Sequence, residues 1–181
     1  MRRRDLGALA LLPWLGAHAA DDDALAAALR EGRCAILLRH GQTVPGIGDP
    51  PGFRLDTCGT QRNLDDDGRA QARRIGAWFA SQKLRPRAVR SSAWCRCKET
   101  AELAFGKAEV WPALNSTFDD SALSPAATAR LREALGSIPA NGFEIWVTHQ
   151  VNITALTGRS VASGEGYVVD AAGSVRMPVR L

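Results

Sequence analysis

Apolar residues in this chain follow two rhythms. Two stretches are apolar almost without interruption: residues 34–38 (CAILL) and 143–148 (FEIWVT). Runs of this kind predict strands buried on both faces, as in a parallel sheet. Elsewhere apolar residues recur three and four apart. Ala72, Ile75, Trp78, Phe79 and Gln82 form one stripe behind an opening aspartate, which predicts a helix over 65–82. Trp94, Cys97, Ala101, Ala104 and Phe105 do the same over 94–105. Ser124-Pro125 reads as an N-cap followed by proline in the first turn, opening a helix that carries Leu131 and Leu135 to Gly136. An alanine-rich helix capped by aspartates is expected at 21–30, and a short one at 151–157 ending at Gly158. Shorter strands are predicted at 88–91, 109–114, 167–170 and 174–179, the last two closing around Gly173. Strands alternating with helices predict an α/β sandwich with a mostly parallel sheet.

Residues 41–63 keep neither rhythm. Pro45, Gly46, Gly48, Pro50, Pro51, Gly52 and Gly59 mark a long loop. Inside a compact domain, a loop of that length usually has a function.

Composition adds little to this picture except at the N-terminus. The chain has 181 residues, of which 45% are hydrophobic and 23% charged. This suits a single globular domain with a real core. The opening MRRRDLGALALLPWLGAHAA has a basic start, an apolar stretch over 6–15, and Ala17 and Ala19 flanking His18. That is the form of an export signal cleaved after Ala19. The stretch is too short to span a bilayer, and Pro13 interrupts it. An ordinary N-terminal helix is the competing reading, disfavoured by the abrupt change at Asp21, Asp22 and Asp23. Arg3-Arg4 resembles a twin-arginine signal, so either Sec or Tat export fits. The expected layout is a signal over 1–19 and a single domain over 20–181, periplasmic or secreted. Losing Arg2, Arg3, Arg4 and Asp5 takes the net charge from +4 to +2. So small a charge argues against a nucleic-acid partner. No stable membrane span is expected after cleavage.

Four cysteines remain: Cys34, Cys58, Cys95 and Cys97. An exported protein permits disulfides. Cys34 falls in an apolar strand, as a buried thiol would. Cys58 can pair with Cys95 or with Cys97, and spacing leaves the choice open. A zinc site from Cys58, Cys95, Cys97 and a histidine is disfavoured, because Cys-x-Cys is not the usual Cys-x-x-Cys hairpin.

The chemistry-bearing residues follow strands. Arg39 and His40 come after CAILL, Arg96 one turn after the strand at 88–91, and His149 after FEIWVT. In an open α/β sheet, ligands bind beyond the carboxyl ends of the strands. Guanidinium groups match phosphate oxygens bidentately, and the first turn of a helix adds free N–H groups. If the strands are parallel neighbours, two arginines and two histidines form a phosphate pocket.

The motifs LLRHGQT, LDDDGRAQA, SSAWCRCKETA and VTHQ, in this order and spacing, resemble those of the histidine phosphatase superfamily, the phosphoglycerate-mutase-like proteins. Arg39-His40-Gly41 matches the signature tripeptide, Leu64 to Ala72 the L-x-x-x-G-x-x-x-A pattern, and His149 the second histidine. Ser92, Arg96, Thr100 and Ala101 match the S-x-x-x-R-x-x-x-T-A pattern. The resemblance spans roughly 34–169. It implies a three-layer sandwich with the sheet between helices. It implies that His40 is the nucleophile and becomes phosphorylated, while Arg39, Arg96 and His149 hold the phosphoryl oxygens. Water then hydrolyses the phosphohistidine, with no metal and no cofactor. Many relatives carry a glutamate as general acid, and nothing here matches its usual context. Asp119, next to Asp120 in NSTFDD, occupies that part of the chain and is the candidate taken. Glu165 in SGEG is a second, and a solvated acidic turn is the alternative for the aspartates. His149 could also donate, or a good leaving group could do without an acid. The loop as a whole is read as substrate-recognising, with Thr43 and Asn63 taken as binding residues and Arg54, Thr57, Gln61 and Arg62 as further candidates; a rigid cover with no specificity role is the alternative. The export signal and the loop are similar to those of small periplasmic members, including lipopolysaccharide core heptose phosphatases. The expected partner is therefore a phosphorylated small molecule or an envelope glycolipid. A mutase fits less well, and the acid phosphatase and phytase branch poorly, since Gln42-Thr43 follows Gly41 and Gln150 follows His149. A catalytically silent protein that binds a phosphorylated ligand or partner on the same fold is the alternative function.

Overall fold

The computed structural model describes residues 15–181, with side chains from Asp21 onward. The expected signal lies mostly outside the described residues. Helix α1 runs Leu15–Glu31, so Asp21, Asp22 and Asp23 lie within it and do not cap it, contrary to the expectation.

Six strands form one sheet: β1 (Cys34–Arg39), β2 (Ala88–Ser91), β3 (Glu109–Val110), β4 (Phe143–Thr148), β5 (Gly166–Asp170) and β6 (Val175–Val179). Their order is β3-β2-β4-β1-β5-β6. The neighbours from β3 to β1 are parallel, and β5 runs antiparallel to both β1 and β6. The sheet is thus mixed and mostly parallel. The uninterrupted apolar run of β1 follows from this place in the middle. Cys34, Ile36 and Leu38 enter one core while Ala35 and Leu37 enter the other.

The first core packs under α1, α2 (Asp66–Ser81) and α3 (Cys95–Phe105), through Leu25, Leu29, Ile75, Phe79 and Ala101. The second packs under α4 (Ser124–Gly136) and α5 (Gln150–Thr157), through Leu131, Leu135, Ile153 and Leu156. Helices on both faces of one sheet give the three-layer sandwich.

Local chemistry sets the ends. Asp65 caps α2, its carboxylate accepting from Gly68 N at 2.8 Å. Gly158 ends α5 in the left-handed region, φ 70°. Two expectations need correction. The strand at 109–114 stops after Val110, because Pro112 has no N–H for a ladder and Pro112–Leu114 curl into a 3-10 turn. Ser124 does not cap α4. A 3-10 turn over Ser121–Leu123, capped by Asp120, leads straight into it, which leaves Ser124 and Pro125 within the first turn.

Candidate active site

The sheet itself brings the two histidines together. In the β1–β4 register Arg39 lies opposite Thr148, and His40 N continues the ladder by donating to Thr148 O at 3.1 Å. His40 and His149 therefore leave neighbouring strands at the same level. Their ring centroids are 5.5 Å apart at 66°. From the next strand over, Ser92 N donates to Val147 O at 3.0 Å, and α3 then carries Arg96 in its first turn to the same place. Close backbone approach makes room for this. A Cβ on Gly68 would sit 2.0 Å from Gln42 O, and one on Gly41 would sit 2.7 Å from Gly68 O. Only glycine lets the start of α2 press against the loop that holds His40.

The hydrogen bonds assign a tautomer to each ring. His40 Nδ1 lies 2.8 Å from Gly41 O. A carbonyl only accepts, so Nδ1 carries the proton and Nε2 keeps its lone pair. His149 Nε2 lies 2.8 Å from Ser92 Oγ, whose hydroxyl points to Asn115 Oδ1 at 3.4 Å. Nε2 therefore donates, and His149 Nδ1 faces Arg96 Nη2 at 3.5 Å. Both rings are held neutral. Burial pushes His40 down to about 3, with Arg96, Arg39 and Arg62 adding to the effect and the Gly41 hydrogen bond opposing it. Burial likewise pushes His149 well below the usual histidine range, helped by His40 and the same three arginines.

A cavity of about 280 Å³ contains Arg39, His40, Arg62, Arg96 and His149 in its wall. Arg39 Nη1 donates to Val161 O at 2.9 Å. Arg96 Nη1 donates to both oxygens of Asp49, at 2.8 and 3.1 Å. The Nε–H groups of Arg39 and Arg96 are buried without a protein acceptor. Burial, and repulsion from neighbouring arginines, lowers the pKa of Arg39 and of Arg62. Three guanidiniums pressed together beside two neutral imidazoles make a cup that favours a multiply charged anion.

The profile of the histidine phosphatase superfamily (branch 1) matches residues 35–135. The chain belongs to that superfamily. Among solved structures, TTHB049 from Thermus thermophilus superposes with a TM-score of 0.59 at 21% identity, over 82% of this chain and 99% of that one. A phosphoglycerate mutase from the same organism gives 0.57 at 22% identity, with the same coverage. The protein histidine phosphatase SixA, complexed with tungstate, gives 0.51 at 18% over 81% of this chain and 96% of that one. At these identities the likeness establishes the fold, which is that of the phosphoglycerate mutases. No curated protein matches the sequence.

For this histidine phosphatase homologue, the four residues singled out at the strand ends, Arg39, His40, Arg96 and His149, all line the one cavity. Asp119 lines it too, from the loop before α4. Asp120 instead caps the 3-10 turn, accepting from Ala122 N at 3.1 Å. Glu165 lies outside the cavity wall, accepting from Ala162 N at 3.3 Å and facing Arg180 at 3.6 Å. Thr43 and Asn63 are not in the wall either. Thr43 Oγ1 takes a hydrogen bond from Arg62, and Asn63 Nδ2 donates to Cys58 O at 2.7 Å. Both are engaged in holding the loop's shape. Arg54, Thr57 and Gln61 also stand outside the wall; of the loop residues offered for recognition, Arg62 reaches it.

Sequence reasoning missed Asp49. Its side chain is 3% exposed and gathers Arg96, Arg62 N at 2.9 Å and Trp94 Nε1 at 2.9 Å. The only signal was one acid in a Gly/Pro-rich stretch. Burial raises the pKa of that carboxyl, but the hydrogen bonds from Arg96, Arg62 N and Trp94 together carry it below the usual range. Ser92 and Thr100 were seen only as motif letters. Ser92 orients His149, and Thr100 Oγ1 accepts from Gly41 N at 3.0 Å. The cysteine choice is settled in favour of Cys58–Cys95, which ties the long loop to the start of α3. Cys34 and Cys97 are buried free thiols, and zinc would have to compete with that bridge.

Proposed function

We propose that this protein is a phosphomonoesterase working through a phosphohistidine at His40. What supports this most is the unprotonated His40 Nε2 in a cavity walled by Arg39, Arg62 and Arg96. The nucleophile is neutral because burial and positive neighbours disfavour the imidazolium, so no base is needed to free its lone pair. The phosphoryl oxygens take hydrogen bonds from the arginines, and the buried Nε–H groups of Arg39 and Arg96 have no other acceptor. That charge is most useful in the transition state, where negative charge spreads over the equatorial oxygens.

As Nε2 bonds to phosphorus, the ester P–O bond breaks. Asp119, in the cavity wall, passes a proton to the departing alkoxide. Water then attacks the phosphohistidine, the P–N bond breaks, and the water proton returns to Asp119. The products are the alcohol and inorganic phosphate.

The N-terminal leader and the Cys58–Cys95 bridge support export to an oxidising compartment, periplasmic or secreted. The substrate is then a phosphorylated small molecule or envelope glycolipid. N-terminal sequencing of the exported protein checks this, with Ala20 the expected first residue.

The test of catalysis is incubation with an aryl phosphate. Turnover and an acid-labile phosphoenzyme are expected, with turnover falling by about 10³-fold or more in His40→Ala. Absence of both turnover and label in the unaltered protein would leave the silent binder as the better reading.

A further inference from the structure

We infer that the alcohol side of the cavity is an apolar subsite, selecting phosphate esters of aryl or alkyl alcohols over those of polyhydroxylated sugars. This rests on the phosphohydrolase reading above and narrows it.

Large hydrophobic side chains are exposed at few places on the described surface, and two of them stand at this mouth. Ile47 is 90% exposed and Phe118 is 56% exposed. Both line the same cavity as His40, joined by Val151. They come from separate loops, yet the loops are close: a Cβ on Gly48 would lie 3.8 Å from Phe118 Cε1. Exposed aliphatic and aromatic groups facing a polar catalytic cup gain by covering apolar ligand surface.

The polar groups on the same wall are mostly committed elsewhere. Asp49 is consumed by Arg96, Arg62 N and Trp94. Gln150 Oε1 accepts from Val161 N at 3.0 Å, and its amide donates to Thr154 Oγ1 at 2.8 Å. Ser116 Oγ accepts from Phe118 N at 3.2 Å. Among these side chains what remains is one Gln150 amide N–H, the Ser116 hydroxyl proton and the Asp119 carboxyl, which the mechanism uses at the ester oxygen. A sugar brings several hydroxyls, each of which loses water on entry and needs a partner. The uncommitted side chains of this wall supply few of these. A site that recognises hydroxyls does so with uncommitted donors and acceptors, and an apolar alcohol makes no such demand.

The test compares benzyl phosphate with glucose 6-phosphate. Both are esters of primary alcohols, so the bond broken is alike and the difference reports the subsite. Expected is kcat/KM higher for benzyl phosphate by about tenfold or more, carried mainly by KM. The double variant Ile47→Ser with Phe118→Ser should bring the ratio towards one, and Phe118→Ala alone should move it part of the way. A parallel calorimetric titration of His40→Ala with benzylphosphonate and with glucose 6-phosphate reads binding without turnover. Equal kcat/KM values, a preference for the sugar, or a ratio unmoved by the double variant would overturn the subsite while leaving the phosphatase intact. No turnover, but a binding preference for benzylphosphonate, would sustain the subsite and overturn the hydrolase. No preference in either measurement overturns the subsite.

Discussion

Asp49 offers the sharpest trial of how the site is held. Its carboxylate and the Arg96 guanidinium are 3% and 5% exposed and meet at 2.8 Å. Removing one member of a buried pair typically costs about 3–5 kcal/mol, because the other charge is left without compensation. Two effects pull on that figure here. Arg96 keeps Arg62 O at 3.3 Å and borders a cavity that water can enter, which lowers the cost. Trp94 Nε1 and Arg62 N lose their acceptor in Asp49→Ala, which raises it. The net expectation for Asp49→Ala is a loss of about 3 kcal/mol. For a domain of this size that is a fall of about 6–12 °C in Tm. Asp49→Asn keeps an acceptor and loses the charge, so about 1–2 kcal/mol is expected. Urea denaturation followed by circular dichroism, at neutral pH, measures both. The sign of the pH dependence follows from the lowered carboxyl pKa. Asp49's contribution is complete above the unfolded value of about 3.9 and disappears as pH falls through the lower folded value. The gap between the unaltered protein and Asp49→Asn should therefore close in acid. If Asp49→Ala unfolds within about 0.5 kcal/mol of the unaltered protein, inside the usual range for surface changes, the clamp is not holding Arg96 and the reasoning fails.

The buried neutral histidines give a second pH effect. With His40 held near about 3 and His149 also lowered, the unfolded chain binds more protons below about 6.5, so stability should decline as pH drops from there. NMR titration should show neither ring charging between about pH 5 and 8; a His40 midpoint near 6.5 would contradict the burial argument. The Cys58–Cys95 bridge closes a separation of 37 residues, worth about 3–4 kcal/mol on chain-entropy grounds. Reduction, or the pair Cys58→Ser with Cys95→Ala, should lower both stability and phosphate affinity, since the loop carrying Asp49 and Arg62 is then untied; unchanged inhibition by inorganic phosphate would speak against the second effect. Asp119→Asn should slow hydrolysis of an alkyl phosphate by about 10²-fold and a nitrophenyl phosphate far less; equal slowing would remove Asp119 as the proton donor.

Periodicity alone was enough to place the strands at the middle of the sheet and the stripes of α2 and α3. Burial is what it encodes, and burial of β1 and β4 on both faces leaves an uninterrupted apolar trace. The chemistry at the strand ends was legible for a related reason. Arg39, His40, Arg96 and His149 each stand at a fixed short distance from an element that pattern reveals. Turn chemistry was less legible. Ser124-Pro125 carries the letters of a helix start, yet Asp120 and the 3-10 turn before it take the capping role.

Only the tertiary structure decided what the long loop does. Its polar residues had many possible partners, and local sequence does not rank them. Thr43 and Asn63 are taken up by the loop's own neighbours. Asp49 reaches Arg96 across 47 residues, and Arg62 joins the same cup. These meetings depend on the Cys58–Cys95 bridge and on Gln61 Oε1 accepting from Cys95 N at 2.9 Å, which fold the loop over α3. A hydrophobic rhythm records which side of an element faces the core. It carries no record of which distant side chain will satisfy a buried charge, because that is settled by the path of the chain in space.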